Sequence, residues 1–470
     1  MERWLMPTDI FISYANEDYK RVRGYYRKLR GAGYHPWMDK KNLTPGIEWE
    51  NKIKETLKNL KVAIIFLSKN TRKNDRFFSK ELSYIIEARN VGNSKFLIIP
   101  ARLEKCAIPA VLQKIHCPDL FAHEWKNVLK TIESHLALPS TIQNSVERTK
   151  VLPFTNLKLP CFFPSISSTA KSTFNVLEHL EILVLLNYPN FLISAYDIHE
   201  LKEKRKSDSR KIIKLISKAR EQKSIVLLDS GNYEKYWRKI EKWTQKSLIE
   251  ILSYVDVDLA FCYDKLKPSE EIGQVVAEVE QSVGRDQKAA DMKIILPIVH
   301  ACSAGQLPEI CKQVSENLNP ILIAVPEREM GEGIYNRART VIAIRNALDS
   351  TGRYFPLHIL GTGNPLSLLI FAACGADSFD GLEWCQTSVD HITGRLYHSQ
   401  LCDFFVHQTS FEKNELGYAA KTLLHNLLFY QKWMAMIQDA MEKNTMPDLL
   451  KTYLPEKAFN DLKRLCPEVF

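Results

Sequence analysis

No stretch of this sequence is an uninterrupted apolar run of the roughly 20 residues needed to span a bilayer. The segment around Ile182 to Ile193 is short and broken by Asn and Pro, so no membrane involvement is expected. The opening MERWLMPTDI lacks an apolar core of signal-peptide length, and a cytoplasmic location is therefore expected. None of the ten cysteines stands in a CxxC spacing. That argues against a disulfide framework or a zinc knuckle and for reduced, buried thiols. Low-complexity tracts and short repeats are missing as well.

What remains is ordinary for a soluble globular protein: 45% hydrophobic and 25% charged residues. With 470 residues there is room for two or three domains, and either half could bury a full core. The net charge of +9 permits an anionic partner such as nucleic acid without singling one out. The densest basic run, LKEKRKSDSRKIIKLISKAR from Leu201 to Arg220, reads first as a solvated helix face.

The most informative stretch runs from Trp37 to Glu81. It holds an apolar strand, Val62 to Leu67 (VAIIFL), which ends at Ser68. After a polar loop, Arg76, Phe77, Phe78 and Glu81 fall within about a helical turn and a half. A carboxylate beside aromatic side chains can bind a ribose hydroxyl and stabilise positive charge developing at an anomeric carbon. Upstream, DIFISYANEDYKRVRGYYRKLRGAGYHPWMD has the same grammar: a strand Ile10 to Ser13, a polar turn Tyr14 to Asp18, then a basic amphipathic helix closed by Gly31 and Gly33. Strand and helix in this alternation read as an open parallel sheet, whose ligands sit beyond the carboxyl ends of the strands. Ser13, Tyr14, Asp39 and Ser68 all fall at such ends. Asp39 could equally cap a loop, Trp49 could be core, and Gly46 after Pro45 serves a turn.

These residues resemble a TIR domain over about residues 7 to 137, through DIFISYANED, WMDKKNLTPGIEW, VAIIFLS, the SKEL carrying Glu81, and FLIIPARL from Phe96. TIR domains divide into adaptors, which only assemble, and enzymes that cleave the nicotinamide–ribose bond of NAD+. The resemblance implies that Glu81 is the catalytic glutamate and NAD+ the substrate. Ser13, Tyr14, Trp37, Asp39, Ser68 and Phe77 would then line the pocket. It also implies a homo-oligomer assembled through the TIR domain. In place of the family's common Trp-Cys pair before the glutamate, this chain has Phe77 and Phe78.

Composition shifts between Pro139 and Ser168, where LPSTIQNSVERTK and FPSISSTAKS are rich in Ser, Thr and Pro. The expected organisation is a TIR domain at 1–138, a linker at 139–168 and a second domain at 169–470. In that second part, seven β-branched runs alternate with helix-like stretches: FLISAY, SIVLLD, VDLAF, KIILPIV, PILIAV, PLHILG and ADSFDG. They suggest a TIM-like (β/α)8 barrel with one strand unplaced, or alternatively a second open α/β sheet. The fold class is therefore α/β throughout. Barrel sites lie where strands end, at Asp229-Ser230-Gly231, Cys262-Tyr263-Asp264, His300, Gly361-Thr362-Gly363 and Asp380. Asp229 and Asp380 would converge from distant strands on one mouth, which suits chemistry at an anomeric carbon. Taken singly, each also reads as a helix cap.

LLDSGNY, HILGTGNP, GADSFDGLEW and HNLLFYQKWMAMIQDAM together resemble the tRNA-guanine transglycosylase family over roughly residues 160 to 450. The resemblance implies Asp229 as a base-binding aspartate and Asp380 as a nucleophile. Ser230, Gly231, Asp264, His300, Gly361 and Gly363 would surround a nucleobase. The base-recognition aspartate falls on Cys262 or Asp264, depending on alignment. Of the family's zinc ligands, only His425 and a nearby Cys402 have counterparts, so no zinc is expected. Three functions are expected as alternatives. One is a TIR NAD+ hydrolase or cyclase effector, in bacterial anti-phage defence, with the barrel sensing tRNA, DNA or a modified guanine. Another is a base-exchanging or base-removing ribosyltransferase on tRNA or DNA with the TIR domain as a scaffold. The last is a pure interaction protein.

Overall fold

The computed structural model describes residues 10–31, 36–38, 60–72, 76–91, 96–122, 124–136, 146–204, 206–240, 242–290, 293–413 and 415–470. The chain divides into two compact units, Met1–Gln143 and Asn144–Phe470. Among the described residues, no helix is long and apolar enough to cross a membrane.

In the first unit four strands, β1 (Ile10–Ser13), β2 (Pro36–Trp37), β3 (Val62–Leu67) and β4 (Leu97–Arg102), form a parallel sheet in the order β2-β1-β3-β4. Helices cover both faces, which is why β1 and β3 read as continuous apolar runs. Successive side chains alternate between the faces. Ile10, Ile12, Val62, Ile64 and Phe66 pack with Val22, Leu29, Val128 and Ile132 of the helices Tyr19–Gly31 and Trp125–Leu136. Phe11, Ala63, Ile65 and Leu67 pack on the other face with Phe78, Leu82 and Ile85 of the helix Arg76–Val91.

The second unit is built on eight parallel strands: β5 (Cys161–Ile166), β6 (Asn190–Ser194), β7 (Ile225–Asp229), β8 (Leu259–Phe261), β9 (Ile294–Leu296), β10 (Ile323–Pro326), β11 (Leu357–Leu360) and β12 (Ser378–Gly381). They succeed one another around the sheet, with β12 beside β5, and a parallel bridge between Ile298 and Ala324 joins the β9 and β10 ends. The architecture is a (β/α)8 barrel with flanking helices. Phe163, Leu192, Leu227, Phe261, Leu296 and Ala324 fill its interior, while Phe162, Phe191, Val226 and Ala260 face the surrounding helices.

The strand that the sequence leaves unplaced is β5, and it lies inside the stretch 139–168 expected to be linker. Three prolines hide it. Pro153 and Pro160 punctuate its approach, and Pro164 stands within the strand opposite Gly381. Proline in an apolar run normally demotes a strand reading. The residues before it belong to the barrel as well: Leu152, Leu157 and Leu159 are buried with the interior residues, and Val151 bridges Lys158. Beyond the barrel strands, β13 (Thr387–Val389) and β14 (Leu396–His398) form an antiparallel pair. The long helix Tyr418–Glu442 pins the loops after β11 and β12. Tyr430 Oη donates to Gly363 O at 2.6 Å, Trp433 Nε1 to Pro365 O at 3.0 Å, and Asn426 Nδ2 to Trp384 O at 2.9 Å.

Candidate functional sites

Strand parity decides the geometry of the first unit. Ser13 closes β1 on the face of Phe11, toward the helix Arg76–Val91, and its Oγ donates to Glu81 Oε2 at 2.7 Å. Both are buried, Glu81 being 6% exposed. A carboxylate so placed at the carboxyl edge of a parallel sheet is held in one orientation beside the region where such sheets bind ligands. Beneath this pair, on the same face, Trp37 is buried and stacks on Phe11 with ring centroids 4.9 Å apart. Its position is that of a core residue below the edge.

Ser68 and Tyr14 lie on the opposite face. Ser68 Oγ donates to Asp18 Oδ2 at 2.5 Å and accepts from Asn70 N at 3.0 Å. Asn70 Nδ2 reaches the other Asp18 oxygen at 3.2 Å, and Arg21 pairs with it at 3.4 Å. Tyr14 packs in that face's core beside Tyr19. The structure thus brings Ser13 to Glu81 and assigns Ser68 to a separate knot around buried Asp18. Sequence reasoning missed Asp18. Its only local sign is an acidic residue directly before a helix, which a solvated helix start explains equally well. Asp39, Gly46 and Trp49 lie outside the described residues, as does the side chain of Phe77.

In the second unit the same period of two turns Ser165, Ser194, Asp229 and Asp380 toward the barrel interior at its carboxyl end, with His358 one layer below, level with Ser378. Asp380, 8% exposed, is held by three donors. Gly361 N gives to Oδ1 at 2.9 Å, Ser165 Oγ gives to Oδ2 at 2.8 Å, and His358 Nε2 lies 3.1 Å from Oδ1. Gly361 has φ +75°, which presents its N–H to that carboxylate. Asp229 accepts from Gly231 N at 2.9 Å. Burial, joined by the charges of Glu234, Asp264 and Asp380, raises its carboxyl well above the usual range. Gly231 also has φ +79°, and a Cβ there would lie 2.8 Å from Tyr196. Glycine is therefore required for the turn that delivers the next helix, Asn232–Arg238.

Asp264 is at the mouth, whereas Cys262 is buried in the core between strand and helix. Asp264 accepts from Ser230 Oγ at 2.6 Å and Asn232 Nδ2 at 2.8 Å, and lies 2.8 Å from His300 Nε2. The other His300 nitrogen is 2.6 Å from Glu329 Oε1. Burial alone would lower the imidazole, but hydrogen bonds to Asp264 and Glu329 raise it to about 9, so His300 is a cation between two carboxylates. His425 sits away from this cluster, fully buried, with Nε2 2.7 Å from Val389 O.

Three further carboxyl groups at this end escaped sequence reasoning. Asp197 and Glu234 are buried close together. Asp197 is raised to about 8 by burial and by the charge of Glu234, against hydrogen bonds from Ser168. Glu234 is raised as well, by burial, and accepts from Ser167 Oγ. Glu383, just past β12, is raised to about 7 by burial and by the charges of Asp380 and Glu327. The fold sets its carboxyl group against two glycines: a Cβ at Gly363 would lie 2.0 Å from its Oε2, and one at Gly381 2.5 Å.

These shifts set a pH dependence. Asp197, Glu383 and His300 each bind their proton more tightly in the folded state. Each contribution is complete below the group's unfolded pKa and is lost as pH rises through the folded one. The contribution of these groups is therefore expected to be greatest at about pH 4 and to fall as pH rises, by on the order of 2 kcal/mol or more by about pH 9. Chemical denaturation across that range, with Asp197→Asn flattening the profile, checks this; rising stability toward pH 9 would contradict it.

A family model for the TIR domain matches residues 10–132, so the N-terminal unit is similar to TIR domains. This family includes NAD+ hydrolases and signalling modules that self-associate. No curated protein matches the chain.

Proposed function

We propose that the TIR unit cleaves the nicotinamide–ribose bond of NAD+, by hydrolysis or cyclisation, as an effector in bacterial anti-phage defence. The barrel binds a nucleobase or nucleic acid and controls that activity. The observation that carries this reading is the buried Ser13–Glu81 pair at the carboxyl edge of β1. Glu81 would accept a ribose hydroxyl and stabilise the oxocarbenium-like charge at C1′ as nicotinamide leaves. Ser13 would fix its orientation, and the aromatic Phe77 would flank the nicotinamide. Cleavage is expected from a homo-oligomer in the cytoplasm, since TIR enzymes generally complete their sites across subunits.

The sensing role rests on the motifs shared with tRNA-guanine transglycosylases and on the carboxylate-lined mouth around Asp229 and Asp380. The purified chain is expected to consume NAD+ faster when phage or plasmid nucleic acid is added. Equal rates with and without nucleic acid would remove the sensor half of the proposal.

One observation favours a second reading. Three donors fix Asp380 at the mouth, as suits a nucleophile at an anomeric carbon. The barrel would then be a ribosyltransferase or glycosidase on tRNA or DNA, with the TIR unit as its scaffold.

A further inference from the structure

Asp380 is not alone at the end of β12. Three residues on, Glu383 lays its carboxyl group against the backbone of Gly363 and Gly381, in a space that a methyl group on either glycine would occupy. The charges of Asp380 and Glu327 both act on it. Tyr233, on the helix Asn232–Arg238 that follows β7, is 40% exposed. The two carboxyl groups differ in how they are held. Asp380 accepts from a backbone N–H, a hydroxyl and an imidazole. Glu383 accepts from the backbone N–H groups of Gly363 and of its own residue, yet burial and the charges of Asp380 and Glu327 still raise it to about 7. A carboxylate pinned by three donors beside a carboxyl group raised toward neutral pH is the usual division between nucleophile and general acid.

Asp264 bears on the choice of acceptor once the glycosidic bond has broken. Ser230, Asn232 and His300 occupy three of its roughly four acceptor positions. That leaves little capacity to select an incoming base. Water needs no such selection.

Building on the second reading above, we propose that Glu383 is the general acid and base that makes the barrel mouth remove a purine-type base from an N-glycoside, with water as the acceptor. An Asp380 oxygen bonds to C1′ while the C1′–N bond breaks. Its electron pair goes to the departing base, which takes the proton of Glu383. The Glu383 carboxylate then draws a proton from water, whose oxygen bonds to C1′ and displaces Asp380. The net change is one water consumed, with a free base and a sugar hemiacetal released and both carboxyl groups restored.

The test uses the full-length chain without NAD+, so failure here leaves the TIR reading intact. Two single-stranded RNA oligonucleotides are compared, one with guanosine and one with 7-methylguanosine. The base of the latter is already cationic and needs no acid to leave. The wild type is expected to release free base from both, with the guanosine rate falling above about pH 7. Glu383→Gln should lose at least about 10²-fold on guanosine. On 7-methylguanosine it should accumulate a covalent protein–RNA ester, seen by intact mass, and Asp380→Asn should form none. Wild-type release of neither base would overturn the proposal. So would Glu383→Gln turning over guanosine at the wild-type rate, or exchange of labelled guanine without net release.

Discussion

Replacing Glu81 with glutamine is expected to reduce NAD+ loss by at least about 10²-fold. Glutamine keeps the size of the side chain and can still accept from Ser13 Oγ, a bond of 2.7 Å in the native protein. What it loses is the negative charge that the proposed reaction sets against the anomeric carbon, so the change isolates electrostatic stabilisation from packing. Alanine should do no better. Ser13→Ala should cost less, about tenfold, because the carboxylate remains but is no longer held in one orientation. NAD+ and nicotinamide measured by chromatography, with thermal melts to confirm folding, give the comparison. A Glu81→Gln protein that consumes NAD+ at the wild-type rate would end the assignment. A Ser13→Ala loss larger than that of Glu81→Gln would shift the chemistry to the hydroxyl.

The largest stability effect is expected at Asp377, fully buried just before β12. Its carboxylate accepts from Arg148 Nε at 2.8 Å, Tyr354 Oη at 2.6 Å and Leu357 N at 2.9 Å, with Arg345 at 3.5 Å. Its backbone ties β11 to β5, through Asp377 N to Leu357 O and Cys161 N to Asp377 O. This is the amino-terminal end of the barrel, where such networks serve stability rather than chemistry. Asp377→Ala removes a fully buried anion that faces both Arg148 and Arg345, while Asp349 stays 2.9 Å from Arg345. Leaving the partly buried Arg148 cation, the Tyr354 hydroxyl and the buried Leu357 N–H without their acceptor should cost about 3 to 5 kcal/mol. Arg148→Ala should cost less, since an exposed part of that side chain already meets solvent. Guanidinium denaturation of the full chain, tracking the transition of the second unit, measures both. An Arg148→Ala protein as stable as the wild type would show that residues 146–160 are only tethered to the barrel.

Arg148 also marks where reading the sequence fell short. A segment rich in Ser, Thr and Pro looks like a linker because its local signals are those of turns. What makes it part of the barrel is non-local: Leu152, Leu157 and Leu159 enter an interior formed by strands far along the chain, and Arg148 meets a carboxylate more than 200 residues away. The remaining seven barrel strands were legible because burial on both faces leaves unbroken apolar runs. The TIR strands were legible for the same reason.

The candidate sites divide in the same way. Strand-end residues such as Ser13, Ser68, Asp229 and Asp380 are visible in the sequence because a parallel α/β sheet places its polar residues where the apolar run stops. Which of them meet is set by side-chain parity and register once the sheet exists. Ser13 turns to Glu81 and Ser68 to Asp18 on opposite faces. Asp197, Glu234 and Glu383 carry no mark in the sequence, because acidic residues on helices are ordinarily solvated. Only the closed barrel buries them together. In that low-dielectric setting lost hydration raises all three, and neighbouring like charges add to it for Asp197 and Glu383. The sequence by itself determined the elements, their alternation and the edge at which chemistry sits. The tertiary structure decided which carboxyl groups face one another, because proximity across distant strands and exclusion of water exist only after folding.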